Sequence, residues 1–383
     1  MYVGVWVFTV PVTLSLAEMA SMAPTSGGQY HWTSEFAPPS CQKFLSYIVG
    51  WLSALGWQAA IATTAYGAGN IILQMAAISY PTYVPTAWQG TLVTMAVVCF
   101  SMLFNTVGAK HLPLFESIIL FLHVFGFFAI LIPLWVLAPK APAKQVFTEF
   151  SNFGGWSSVG AACIVGQLTA TGSLGGSDSP AHLAEEVRKA STVVPRMMIT
   201  TICLNGVLGF VMVVTFCFCI TDIVEMIVMS ESVFPYVDVF QAATGSNGGT
   251  IAMVSIVCVL SICGNLSVLA AGSRQVFAFA RDQGLPFSGT LRKITVIGTP
   301  IPLNSIIVSM FMTIILSLLN LGSATAFNSI VGLLSGSGGV SYTISISCVL
   351  YRRLTHQPLP KSPFSLGKMV CTRPMIHSQP VSG

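Results

Sequence analysis

The residues best suited to do chemistry stand in one stretch, SSVGAACIVGQLTATGSLGGSDSPAHLAEEVRKA, which begins at Ser157. Within it Gly172, Gly175 and Gly176 fall close together and are followed by Asp178 and Pro180. Glycine has a weak helix preference, and proline neither donates an N–H nor fits a helix interior, so a helix is expected to unwind here. In an apolar surrounding, opened backbone is tolerated only where protein or a polar cavity satisfies it. Freed amides and carbonyls, together with Thr169, Thr171 and Ser173, could hold a small polar ligand, with Asp178 placing a charge beside it. That chemistry is reversible binding. The same glycines also suit a flexible helix end that leads into a loop at Glu185.

Two further polar residues interrupt apolar runs. His123, in FESIILFLHVFGFF, either hydrogen-bonds a neighbouring carbonyl or carries a proton, since imidazole titrates near neutral pH. Asn265, in LSICGNLSVLAAGS, belongs to a small-residue face with Ser261, Gly264 and Ser267, which suits close helix packing; contact with a ligand or ion is the alternative. No HExxH, no cysteine–histidine metal spacing and no GxxxxGK[ST] loop occurs, so no metal, cofactor or ATP site is expected.

The elements that must position these residues are membrane helices. Of the 383 residues 54% are apolar and only 7% are charged, with a mean hydropathy of +0.78. Soluble domains carry about 25% charged residues, so most of this surface must face lipid. Nine apolar segments follow, approximately 1–17, 44–78, 88–107, 113–137, 157–183, 194–220, 250–280, 301–321 and 324–351. The second, fifth and seventh exceed what a bilayer needs, which implies tilt, extension or a break. The net charge of +4 is spread over loops, so no basic face for nucleic acid can be assembled. The ten cysteines form no CxxC pair and are expected to pack as thiols within helices.

Loop charge orients the bundle. Alternate placement puts Lys43, Lys110, Arg188, Lys189, Arg196, Arg274, Arg281, Arg292, Lys293, Arg352 and Arg353 on one side, and only Lys140 and Lys144 on the other. The basic side is expected to be cytosolic, with the N-terminus outside and the C-terminus inside.

Three motifs on that side, AEMASMAPTSGGQYHW (Ala17 to Trp32), SDSPAHLAEEVRKASTVVPRMM (Ser177 to Met198) and SRQVFAFARDQGLPFS (Ser273 to Ser288), resemble the fungal amino acid, GABA and choline permeases of the amino acid-polyamine-organocation superfamily. The resemblance covers about residues 1–366. It implies an all-α integral membrane protein with a leucine-transporter-like inverted-repeat fold, working by alternating access. The nine spans would match the second to tenth of the family's twelve helices, within a transporter domain at 1–351 followed by a cytosolic tail at 352–383. The family's first helix would lie upstream of Met1, and KSPFSLGK is where relatives lead into an eleventh, so the chain is expected to be truncated at both ends.

The fifth segment would be the family's broken sixth helix. Substrate would then meet Thr171, Gly172, Ser173, Gly175, Gly176 and Asp178, and by analogy Trp57, Gln58, Asn265 and Asn328 would face the cavity. His123 aligns where some proton-coupled relatives carry a lysine, which implies a coupling role. Glu18, Glu185, Glu186, Arg274, Arg281 and Asp282 would lie at the inner mouth, either as gate residues whose charge pairs form and break or as static loop anchors. The implied function is a plasma-membrane permease, not an enzyme, for proton-coupled uptake of a small nitrogenous solute such as an amino acid, GABA, choline or a polyamine. The alternative is a non-transporting fragment that associates with a full-length permease.

Overall fold

Within lipid a helix satisfies its own backbone, so long uncharged apolar runs fold as helices. The structure is a computed structural model that describes residues 1–366 except 81, 231, 233 and 323, and leaves out the side chains of 324–328 and 331. In chain order the helices are α1 (Tyr2–Met22), α2 (Gln29–Phe36), α3 (Gln42–Ser79), α4 (Ala87–Thr106), α5 (Leu112–Leu137), α6 (Ala143–Thr148), α7 (Val159–Ser173), α8 (Ser179–His182), α9 (Ala190–Cys219), α10 (Tyr236–Thr244), α11 (Asn247–Arg281), α12 (Ser288–Leu291), α13 (Leu303–Gly322) and α14 (Ala324–Leu354). A small antiparallel hairpin, β1 (Thr295–Ile297) and β2 (Thr299–Ile301), precedes α13. Apart from this hairpin the described elements are all helical.

Among the described residues eight helices, α1, α3, α4, α5, α9, α11, α13 and α14, are long and apolar enough to cross a bilayer. The expected ninth span, 157–183, is not one continuous helix: α7 stops at Ser173 after 15 residues. α1 in turn runs past the expected edge at Ala17 to Met22, so Glu18 lies on the helix and is buried.

α3 is the central post, packed by α2, α4, α11, α13 and α14. Its buried run Ala59, Ala60, Ile61, Ala62, Ala65, Ala68 and Gly69 is made almost wholly of small residues, which lets neighbouring backbones approach. A Cβ added to Gly272 of α11 would come within 2.9 Å of Ile61 Cδ1, a measure of how close α3 and α11 lie. On α13 a stripe at every fourth residue, Ser305, Ser309, Thr313 and Ser317, is fully buried; Gln58 of α3 donates to Ser309 Oγ at 3.1 Å. α1 lies along α9, where Trp6 Nε1 donates to Ile202 O at 3.0 Å and the indole covers Gly206. All nine described cysteines are free thiols.

The two ends of the bundle carry different charge. At one end Asn247 donates to Ile78 O, joining α11 to α3, and Ala141 N donates to Phe218 O, joining the segment of Lys140, just before α6 and its Lys144, to α9. Lys140 is spent locally: its ammonium donates to Leu134 O and Ala138 O at the C-terminus of α5 and lies 5.6 Å from the Trp135 ring. At the other end the three motifs meet.

Candidate functional site: the helix break

The break forms where the glycines and proline place it. Leu174 N still donates to Ala170 O and Gly175 N to Gly172 O, but Gly176 takes φ +79°, a left-handed conformation that side chains disfavour, and the helix ends. Pro180 then sits in the first turn of α8, where a missing N–H costs nothing. A single 3₁₀ turn, Ala184–Glu186, carries both glutamates of the second motif.

The two sides of the break differ. α7 has no buried residue, and Thr171, Gly172, Ser173, Gly175 and Gly176 are all exposed. The Thr171 and Ser173 hydroxyls donate back to Gln167 O and Ala170 O, leaving their lone pairs outward. Asp178 points the other way and is 3% exposed. Gln29 Nε2 donates to its Oδ2 at 2.6 Å, while Asp178 Oδ1 and Gln29 Oε1 are buried without a hydrogen-bond partner. Ser177 and Thr13 share a hydroxyl–hydroxyl bond of 3.1 Å that ties the break to α1.

His182, one helical turn after Asp178, is fully buried. Trp57 Nε1 of α3 donates to its Nε2 at 3.0 Å, and its Nδ1 lies 2.9 Å from Ser26 O. Since Nε2 accepts, Nδ1 carries the proton and donates to that carbonyl. Asp178 Oδ2 stands 3.7 Å from Nε2.

Charge pairs join the break to α11. Arg281 of α11 binds Glu185 with two bonds of 2.9 Å, and Glu185 Oε1 also accepts from Ser26 N. Arg274 Nε donates to Glu186 at 2.8 Å, and Tyr30 OH donates to Asp282 Oδ2 at 2.9 Å. Burial, then the Asp282 charge, pushes the Tyr30 phenol far above its ordinary range, so it remains a donor. Hydrogen bonds from Arg281 hold the Glu185 carboxyl below the usual carboxylate range, against the smaller opposing effect of burial. Stability from this pair is therefore present above the unfolded carboxylate value of about 4.3 and is lost as pH falls through the lowered folded one. The pair stays ionised through pH 5–8. Its side chains are 41% and 37% exposed, so solvent screening keeps its worth below about 1 kcal/mol.

Glu18 is set apart from these pairs. It accepts from Arg353 Nη2 at 2.5 Å, from Ser365 Oγ at 3.2 Å and from Leu366 N at 3.1 Å. The chain after α14 is thereby folded back over α1, with Leu359 and Phe364 packed on the apolar core there.

The other expected cavity residues lie elsewhere or are already engaged. Asn265 is committed as a helix lock: its carbonyl accepts from Ser101 of α4 at 2.7 Å, and its amide donates to Ile61 O and Thr64 Oγ1 of α3. These bonds join three helices, which is the arrangement that the packing reading of Asn265 requires. Asn265→Ala is expected to lower stability by about 2 kcal/mol, read as a fall in the thermal midpoint, because it strands buried partners of Asn265. Gln58 keeps one buried acceptor, Oε1, unpartnered beside Ser309. Asn328 lies outside the residues whose side chains are described. His123 is partly buried on α5 and makes no hydrogen bond among the described residues.

His182, Ser26, Gln29 and Arg353 do not emerge as site residues from the sequence. Only His182 has a local signal, its i,i+4 spacing from Asp178 on a helical turn.

Comparison with known proteins supplies the final observation. The amino acid permease family model matches residues 1–376. A putative amino acid/polyamine transporter of Macrophomina phaseolina is 32% identical over 96% of this chain and 81% of its own length. An uncharacterized amino-acid permease of Schizosaccharomyces pombe is 33% identical over 90% of this chain and 64% of its own, and a choline transporter of Saccharomyces cerevisiae 29% identical over 94% and 63%. The chain thus spans less than two thirds of the length of the last two.

Proposed function

Because the chain belongs to the amino acid permease family, whose members are transporters and not enzymes, we propose that it carries a small nitrogenous solute across a membrane by alternating access. The observation that carries this reading is the convergence of three sequence-distant motifs on one helix break, held by Glu185–Arg281, Glu186–Arg274 and Tyr30–Asp282. A gate must open at low cost. Glu185 and Arg281 are 37% and 41% exposed, so that pair is worth about 1 kcal/mol or less and water can replace it, whereas Arg274 is only 6% exposed and its bond to Glu186 costs more to open.

The substrate surface is the open side of the break, formed by the backbone of Gly172, Gly175 and Gly176 with the hydroxyls of Thr171 and Ser173. It lies at the C-terminus of α7, where helix carbonyls favour positive charge. A cationic nitrogen fits there, as in an amino acid, GABA, a polyamine or choline. The motif end is the cytosolic one by its excess of Lys and Arg, which places the N-terminus outside, and the plasma membrane is the membrane that serves uptake. Coupling to protons is part of this reading, and the resemblance implies a coupling role for His123.

Uptake of radiolabelled choline, GABA, amino acids and spermidine into cells expressing the chain tests the proposal. Accumulation above vector control is expected; none, with the protein verified at the surface, rejects autonomous transport. Charge reversal tests the gate. Glu185→Arg or Arg281→Glu alone should shift the closed–open balance by roughly tenfold and depress uptake, and the double reversal should restore it. Failure of the double to recover would reject pairing as the basis of gating.

A second reading is favoured by α7 itself. Gln167, Thr169 and Thr171 are exposed on a helix of apolar composition, and polar groups at membrane depth need a cavity or a protein neighbour. A full-length permease covering α7 would supply the latter. Co-purification with such a relative, together with no uptake by the chain alone, would establish this reading over the first.

A further inference from the structure

The gate contains a titratable group whose two nitrogens are both engaged by other segments. His182 is fully buried, accepts from Trp57 of α3 at Nε2 and donates to Ser26 O of the first motif at Nδ1. The same Nε2 stands 3.7 Å from Asp178 Oδ2, and the other Asp178 oxygen is buried without a partner. We propose that His182 is a proton-binding site of the transport cycle separate from His123, with Asp178 as its counter-charge and Trp57 as the bond it releases.

Each nitrogen limits what the imidazole can do. Neutral His182 can accept from Trp57 only while Nε2 is bare. Adding one proton at Nε2, with no other bond made or broken, turns both nitrogens into donors. Two N–H groups then face each other, so the Trp57 bond is lost, and Nε2–H has one anionic acceptor nearby, Asp178 Oδ2. The proton thus exchanges a link from the break to α3 for an ion pair within the break itself. Gly28 fits this device: a Cβ there would lie 2.8 Å from His182 Cε1, so the first motif packs directly on the ring.

The surrounding groups leave Asp178 as the charge that answers. On the same segment the others are Glu185 and Glu186, committed to Arg281 and Arg274 of α11. α14 contributes the buried phenol of Tyr342, whose influence favours the charged form of Asp178. α3 offers the neutral Trp57, and α2 the neutral Gln29. The first motif offers a carbonyl, and Arg188, Lys189 and Arg196 at the start of α9 are not buried.

This inference rests on the permease reading for its place in the cycle, whereas proton binding is measurable without transport. The chain, labelled with ¹⁵N-histidine and reconstituted in lipid bilayers, would be followed by solid-state NMR from pH 8.5 to 5. His182→Gln, whose amide can still accept and donate, assigns the resonance by its loss. The expected wild-type signal is the Nδ1–H neutral tautomer at high pH, converting to imidazolium on acidification. A signal that remains neutral at pH 5, or that begins as the Nε2–H tautomer, overturns the proposal.

Two variants assign the signal if His182→Gln does not fold. Trp57→Phe removes a bond to the neutral form and should tighten proton binding by about tenfold, while Asp178→Asn should weaken it at least as much. No movement in either overturns the proposal. Where uptake is measurable, its pH dependence should vanish in His182→Gln; if it survives there and vanishes in His123→Ala, His182 is not the carrier. An absence of uptake from every variant would count against the permease reading, while protonation of His182 would still be decided by its NMR signal.

Discussion

Gly28→Ala is expected to lower stability by about 2–6 kcal/mol, from two independent causes. Gly28 has φ +56° and ψ −127°, a conformation closed to side chains except at a strain of about 1–3 kcal/mol. Its new methyl would also stand 2.8 Å from His182 Cε1. That ring cannot retreat, because both nitrogens are bonded and no part of it is exposed; overpacking of this kind costs about 1–3 kcal/mol more. The check is the thermal midpoint of purified protein in detergent, with Gly248→Ala as the control, since nothing lies within 4 Å of that site. Adding His182→Ala to Gly28→Ala should cost less than the sum of the two single effects, because the clash needs both partners. Strict additivity would show that the backbone strain alone is responsible.

Arg353→Ala is expected to destabilise by about 3–4 kcal/mol and Glu18→Gln by only about 1 kcal/mol. The pair is asymmetric: the Glu18 side chain is 5% exposed and that of Arg353 is 16% exposed. Removing the arginine strands a buried carboxylate, and a lost partner of that kind costs about 3–5 kcal/mol. The hydroxyl of Ser365 and the amide of Leu366 still donate to Glu18, which puts the effect at the lower end. Glutamine at position 18 keeps an acceptor for those donors, and the freed guanidinium can reach water. Thermal melting separates the two, and limited proteolysis should cut between Leu359 and Leu366 faster in Arg353→Ala than in Glu18→Gln. Equal losses would mean that packing of Leu359 and Phe364 holds the segment, not the ion pair.

Both predictions concern contacts between residues far apart in the chain, and this is where sequence reading loses sight of the molecule. The helices are visible because apolar runs and the scarcity of charge are local properties. The break is visible for the same reason: Gly172 to Pro180 disfavours a helix whatever surrounds it. The length of α7 is not, since apolar composition continues through residues that the backbone cannot hold in a helix. The six expected gate residues do converge on one end of the bundle, although Glu18 joins the segment after α14 and not the arginines of α11. Asn265 is legible as an intrusion into an apolar helix, but packing glue and ligand contact look alike until its partners are known.

The sequence by itself determined the solvent, the helices, the place where one of them opens and, through its motifs, the family. These follow from backbone preference and from the cost of charge in lipid, which act residue by residue. Tertiary structure alone decided the partners. Gln29 reaches Asp178 across 149 positions, Trp57 reaches His182 across 125 and Arg353 reaches Glu18 across 335. A hydrogen bond depends on where two groups arrive in space, and no periodicity along the chain encodes that. His182 shows the difference most plainly: in the sequence it is one of six histidines, and in the fold its two nitrogens join α3 to the first motif beside a buried carboxylate.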